Sequence, residues 1–220
     1  MRILSVAPVR VDAEELSRRQ DRYNRLCPPG VEFVLRPNGP GAPPQFADER
    51  DIAASTASVT DALDALPTDG FTYRMPDCVL DPAVPIDPDG ATTPTVGMLR
   101  LSAARLVSGR RRFGAVTRNP AIAEALTERV EAYGFGQWFA GVTVLDLEFE
   151  AIPDADRWNE TVRSALDGFA AQGVTAVING CSAVDADSED HPVELIDPAA
   201  LALRLLAAGA RPTAQAGAAR

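Results

Sequence analysis

Short apolar runs alternate along this chain with longer segments whose apolar positions recur at helical spacing, which predicts an α/β architecture. Ile3 to Ala7 reads as a buried strand. Asp12 stands where it can cap a helix running to about Leu26, with Glu15 completing a capping box. Val31 to Leu35 is a second strand, followed by the Pro/Gly-rich loop Pro37 to Pro44. Glu49 to Leu66 has helical periodicity and ends before Pro67. Phe71 to Met75 is a weaker strand pattern leading into a loop that carries Cys78.

The second half repeats the alternation. Thr95 to Met98 is a short strand, and Leu101 to Gly109 a helix closed by its glycine. Phe113 to Thr117 is a strand, and Pro120 to Tyr133 a helix with Pro at its start and Gly134 as its stop. Val142 to Leu147 is strand-like, and Ala155 to Ala171 helical up to Gly173. Ala176 to Ile178 is a strand running into Gly180 and Cys181. Val193 to Ile196 is the last strand and Pro198 to Ala208 the last helix. The Ala/Gly/Pro-rich tail, 211–220, is expected to be disordered.

Strands separated by helices imply parallel sheets, with ligands at the carboxyl ends of the strands. Cys78 and Cys181 both fall just after predicted strands, in corresponding places of the two halves. The expected fold is therefore α/β, with two similar Rossmann-like lobes whose parallel sheets are flanked by helices, and a cleft between them. Residues 1–94 plus 198–210 would form the lobe bearing Cys78, and 95–197 the lobe bearing Cys181.

Composition narrows the chemistry. All 21 basic residues are Arg, so Schiff-base chemistry and a P-loop lysine are ruled out. A net charge of −10 argues against a nucleic-acid partner, and the Arg110 to Arg112 cluster reads as a solvated turn. No apolar run reaches the roughly 18–20 residues of a membrane span, and the first apolar run is too short for a secretory signal. A cytoplasmic location is the expectation.

The three cysteines form no CxxC pair, which disfavours a disulfide scaffold or a structural zinc site. The single His191 stands in an acidic stretch, Asp185 to Asp190, and reads as solvent-exposed. Catalysis would then run on Cys, carboxylates, Arg or backbone groups. Cys27, before Pro28-Pro29-Gly30, reads as a packed helix-end residue, and Trp138 and Trp158 as packing.

Asp77-Cys78-Val79-Leu80-Asp81-Pro82-Ala83-Val84 resembles the first cysteine loop of hydantoin-racemase-like proteins, and Asn179-Gly180-Cys181-Ser182-Ala183 their second. Arg112 to Thr117 is similar to the Arg-Phe-Gly-Val-Val-Thr strand common there. Gly39-Pro40 and Val193 to Pro198 also fit the pattern. The sequence thus resembles the aspartate/glutamate/hydantoin racemase superfamily from residue 1 to about 208. The resemblance implies two thiols facing each other across a substrate, Cys78 and Cys181, with no metal or other cofactor. It places Pro8, Arg10, Asp77, Val79, Thr117, Asn119 and Ser182 near the substrate. Thr117 and Asn119 also fit as helix caps, Ser182 as a helix start, Asp77 as a loop carboxylate, and Arg10 as a surface Arg.

The implied chemistry accounts for paired thiols. Racemisation removes a proton from one face of a carbon and returns one to the other. A free thiol has a pKa of about 8.5, so stabilisation by helix N-termini opening after each loop would yield a useful base. Three positions depart from the family pattern. Ala7-Pro8-Val9-Arg10 stands where the family has Asn-Pro-Asn-Thr, Gly97 leads to Arg100 rather than Glu, and Phe71 to Asp77 is unusually polar. The expected function is a cofactor-independent racemase or epimerase acting on an amino-acid derivative or cyclic amide, possible as a homo-oligomer. A maleate-isomerase-like enzyme with a nucleophilic Cys, or a non-catalytic binding relative, remains open, and a decarboxylase fits less well.

Overall fold

The computed structural model describes residues 1–87, 90–149, 152, 154–186 and 191–210. Strand β1 (Arg2–Val6) pairs in parallel with β2 (Glu32–Arg36) on one side and β3 (Tyr73–Arg74) on the other. A bridge from Arg74 to Thr95 extends that edge. In the second sheet β4 (Phe113–Thr117) is flanked by β5 (Phe139–Val144) and β6 (Ala176–Asn179), and β6 pairs onward with β7 (Glu194–Ile196), all in parallel. The orders β2-β1-β3 and β5-β4-β6-β7 follow one plan. In each, the first strand is central and the third leads to a cysteine loop.

Among the described residues six α-helices flank the sheets: α1 (Ala13–Leu26), α2 (Glu49–Ala65), α3 (Met98–Ser108), α4 (Pro120–Ala132), α5 (Ala155–Ala171) and α6 (Pro198–Gly209). The fold is thus the expected α/β arrangement of two parallel sheets. Every residue of β4 is buried, as a parallel strand covered on both faces requires. Strand alternation divides the second sheet's residues between two layers. Phe113, Ala115 and Ile178 pack with Leu99, Ala103 and Leu126 of α3 and α4. Val116 and Val177 pack with Trp158, Val162 and Leu166 of α5. The last helix, α6, packs Ala199, Ala202 and Leu203 against Ile3, Tyr23, Phe33 and Met75 around the first sheet.

Several local expectations are revised. Asp12 does cap α1, accepting from Glu15 N at 2.8 Å, but the Glu15 carboxylate pairs with Arg18 and Arg19. Only half of the capping box forms, because those arginines lie within one turn of Glu15. The polar segment before Cys78 contributes only a two-residue strand, and Thr95 only a bridge. Helix α3 starts at Met98 rather than Leu101, and β5 at Phe139 rather than Val142, directly after the 3₁₀ turn Gly136–Trp138. The tail 211–220 and residues 187–190 of the acidic stretch lie outside the described residues.

Candidate active site

The loop after β3 is buried from Met75 to Pro82. Its geometry rests on Asp81, whose left-handed backbone (φ 50°) turns the carboxylate onto the N-terminus of α3. Asp81 Oδ1 accepts from Leu99 N at 3.1 Å, and Oδ2 from Arg100 N at 2.9 Å and Tyr133 Oη at 3.0 Å. It therefore caps α3 in place of Gly97, which has no side chain to offer and whose Cβ, if present, would collide with this carboxylate. Burial pushes the Asp81 carboxyl up to about 6, against the N–H groups of Arg100 and Leu99. Asp81 of the loop thus has a structural reason.

The second loop leaves β6 through Gly180, whose N–H donates to Val116 O at 2.8 Å. A Cβ there would fall on that same carbonyl oxygen, so only glycine lets the chain pass the end of β4 before Cys181. Asn179 Nδ2 donates to Cys181 O at 2.9 Å and fixes the turn.

The two loops are joined. Ser182 Oγ lies 3.0 Å from Asp77 Oδ1 and 3.1 Å from Asp77 O, so its hydroxyl donates to the residue preceding Cys78. Asp77 Oδ1 also accepts from Tyr23 Oη at 2.6 Å, and Oδ2 from Arg19 Nη1 at 3.0 Å. Burial works against the Arg19 guanidinium, but Asp77 and Glu15 outweigh it and hold it charged. On the same helix, Arg18 donates to Ala183 O at 3.1 Å and Arg22 to Val184 O at 2.8 Å. Helix α1 therefore anchors both cysteine loops.

A cavity of about 60 Å³ lies between the loops, lined by Cys78, Cys181, Pro8, Asp77, Val79 and Ser182 among others. Of the residues expected near a substrate, those four accompany the two cysteines. Arg10, Thr117 and Asn119 are not in the lining. Arg10 is exposed, its backbone N–H bonded to Pro43 O. Thr117 is buried and donates to Asn119 O at 3.3 Å. Asn119 caps α4 by accepting from Ile122 N at 3.0 Å, and its amide donates to Phe46 O. The lining also contains Arg19, Arg118 and Phe149, which sequence reasoning passed over, and Trp158, which it reads as packing. Arg118 donates to Phe46 O at 2.7 Å and lies 5.6 Å over the Phe149 ring. Its position directly after the family-like strand was the signal available, as was the Glu15, Arg19, Tyr23 stripe at helical spacing on α1.

All three cysteines are free thiols. A family model described as Asp/Glu/Hydantoin racemase matches residues 18–206. The chain belongs to this family. No curated protein matches its sequence. Among solved structures it is similar to the allantoin racemase from Klebsiella pneumoniae, with 22% identity, a TM-score of 0.78, and coverage of 94% of this chain and 86% of that one. It is also similar to an aspartate racemase homologue from Pyrococcus horikoshii OT3 (14% identity, TM-score 0.62, 94% and 97% covered). Unliganded arylmalonate decarboxylase shares the fold as well, at 16% identity and a TM-score of 0.59, with 98% and 96% covered.

The electrostatics of this racemase-family site differ from the sequence expectation. No helix opens directly after either cysteine, because Asp81 diverts its loop to cap α3 and the chain after Ser182 runs in turns. Each thiol instead meets a nearby backbone N–H, that of Leu80 at 3.4 Å for Cys78 and that of Ala183 for Cys181. Burial pushes both thiols up. For Cys78 the push is strong: the Leu80 N–H opposes it, and Asp77, Asp81 and Cys181 add to it. For Cys181 the Ala183 N–H, Arg19 and Arg22 oppose burial, and Asp77 adds to it.

His191 is not solvent-exposed as expected. Its side chain is 8% accessible, Nδ1 accepts from Val193 N at 3.0 Å, and Nε2 lies 3.3 Å from Asp167. Cys27 ends α1, where its N–H bonds Tyr23 O, and packs against the core of the first sheet. Among the described residues, no group of three or more His, Cys, Asp or Glu could hold a metal ion, and no helix is long and apolar enough to cross a membrane.

Proposed function

We propose that this chain is a cofactor-independent racemase or epimerase that moves the proton on a carbon next to a carbonyl, with Cys78 and Cys181 acting on opposite faces of that carbon. The observation that carries the reading is that thiols from corresponding loops of the two sheets line one cavity, with Asp77 and Ser182 bonded between them. Family membership and the racemase names of structural relatives support it.

In one direction, the Cys181 thiolate takes the proton from carbon, and the electron pair moves into the carbonyl as an enolate. Cys78 S–H then delivers its proton to the other face, leaving Cys181 as the thiol and Cys78 as the thiolate. The opposite enantiomer reacts with the roles exchanged. Arg19 and Arg22 favour the thiolate at Cys181, while Asp77 and Asp81 favour the thiol at Cys78. In this reading the asymmetry favours Cys181 as the base and Cys78 as the acid in the free protein, although Asp77 raises both thiols.

The lining favours a small amide of the hydantoin or ureide type. Phe46, Ile122, Phe149 and Ile152 give an apolar wall, and the Arg19 charge is already met by Asp77 and Glu15. Deuterium wash-in from D₂O tests the reading on a panel of 5-substituted hydantoins, allantoin, free amino acids and diacids. Exchange at the stereocentre with loss of optical purity is expected for a cyclic amide. Absence of exchange across the panel would overturn it, and conversion of maleate to fumarate would replace it with the nucleophilic isomerase.

A further inference from the structure

A second cavity, of about 380 Å³, borders the continuation of the Cys78 loop at Ala83, Val84 and Pro85, and shares no lining residue with the one between the thiols. Pockets for small metabolites occupy roughly 300–1,000 Å³, so this one has room for a ligand. Helix α2 supplies one side through Thr56, Thr60, Leu63 and Asp64, whose spacing puts them on one face of the helix. Thr56 Oγ1 donates to Ile52 O at 3.0 Å, and Thr60 Oγ1 to Thr56 O at 2.8 Å. With those protons spent on the helix, both hydroxyls have only lone pairs left to offer, as the Asp64 carboxylate has.

The donors come from other elements. Arg74 of β3 keeps 14% of its side chain accessible, and its one side-chain hydrogen bond among the described residues goes to Asp64 Oδ1 at 3.1 Å. Arg129 of α4 is half-buried, lies 5.9 Å over the Tyr133 ring, and meets no carboxylate within salt-bridge distance among the described residues. Asp64 is 68% exposed, and an ion pair so open to water adds little to stability. Two guanidinium groups against one solvated carboxylate leave the lining with an excess of positive charge. A simple anion would answer that charge but leave the acceptors of α2 unmet, and a simple amine would do the reverse. A zwitterion answers both sets.

We propose that this cavity is a second ligand site, which binds a free amino acid with an aliphatic side chain. Its carboxylate sits on Arg74 and Arg129, its ammonium group on Asp64 and the hydroxyl oxygens of Thr56 and Thr60, and its side chain against Leu63, Val84 and Pro85. The site is independent of the racemase reading and stands whatever is turned over between Cys78 and Cys181.

Titrating the full, isotope-labelled chain with L-leucine and following its amide chemical shifts reads both the place and the strength of binding. Saturable shifts are expected at Thr56, Thr60, Asp64, Arg74, Val84 and Arg129. The analogue without the ammonium group, 4-methylpentanoate, and the one without the carboxylate, 3-methylbutylamine, should each bind about tenfold or more weaker, the scale of a charge-assisted hydrogen bond. Arg129→Gln removes a cation from the half-buried helix face and should raise the Kd for leucine about tenfold or more with the melting temperature unchanged. Thr60→Val keeps the shape and removes an acceptor, so it should weaken leucine about threefold while leaving 4-methylpentanoate as it was. Three results overturn the proposal: no saturable shift up to about 20 mM leucine, shifts confined to the loops of Cys78 and Cys181, or equal binding of leucine and both analogues. Unchanged leucine affinity in folded Arg129→Gln or Thr60→Val overturns it as well.

Discussion

The hydroxyl of Ser182 donates to Asp77 across 105 residues of sequence, at 3.0 Å from the carboxylate Oδ1. Asp77 precedes one of the two cavity cysteines and Ser182 follows the other, so this bond ties the two cysteine loops together. Tyr23 and Arg19 hold the same carboxylate from α1. Both residues line the cavity, yet their polar atoms are committed to each other, which makes them positioning residues.

Removing the tie should therefore separate geometry from binding. Ser182→Ala is expected to cost about 1 kcal/mol of stability and to lower kcat more than it raises KM. Asp77→Asn removes one of the two carboxylates that meet the buried Arg19, leaving Glu15, and is expected to cost about 1–3 kcal/mol. Denaturant unfolding and steady-state kinetics on both variants check this. A Ser182→Ala enzyme with unchanged kcat and a large rise in KM would make Ser182 a direct substrate ligand instead.

Arg10 and Cys27 lie outside the cavity and serve as negative controls. Arg10→Ala should leave kcat/KM within about twofold and stability within about 0.5 kcal/mol, as for an ordinary surface site. Cys27→Ser should retain turnover at a modest stability cost. Loss of activity in either well-folded variant would place a functional residue where none is assigned.

Strand and helix order was legible because parallel strands buried on both faces read as short apolar runs, as in Phe113 to Thr117. The site was legible in part. Cys78 and Cys181 stand out as thiols after corresponding strands, whereas the Glu15, Arg19, Tyr23 spacing on α1 is a weaker signal, because Arg19 and Arg22 read equally as the polar face of an amphipathic helix. They are buried because carboxylates brought in from distant loops meet them, a pairing that no local pattern encodes. The beginning of α3 was misplaced because its cap, Asp81, comes from another loop rather than from Gly97.

Burial raises both thiols, and this gives the pH dependence a sign. A thiol above its ordinary value stays protonated through neutral pH, so on the proposed mechanism the fraction of Cys181 able to act as base grows with pH. The expected profile is a rise in kcat/KM of about tenfold per pH unit from neutrality, with no levelling below about 8.5, the value of a free thiol. A plateau reached by pH 7 would mean a base with a lower pKa than either cysteine.

The central claim is that two thiols serve two faces of one carbon, and enantiomer-resolved deuterium exchange on Cys78→Ser and Cys181→Ser tests it most directly. A serine hydroxyl is far too weak a base at neutral pH, so each variant should lose racemisation by about a thousandfold or more, the scale of removing a general base. Each keeps one competent thiol, however, and should still exchange the proton of a single enantiomer with solvent. The expected result is residual exchange of opposite enantiomers in the two variants, with neither interconverting them. Residual exchange of the same enantiomer in both, or racemisation surviving in either, would contradict opposed thiols.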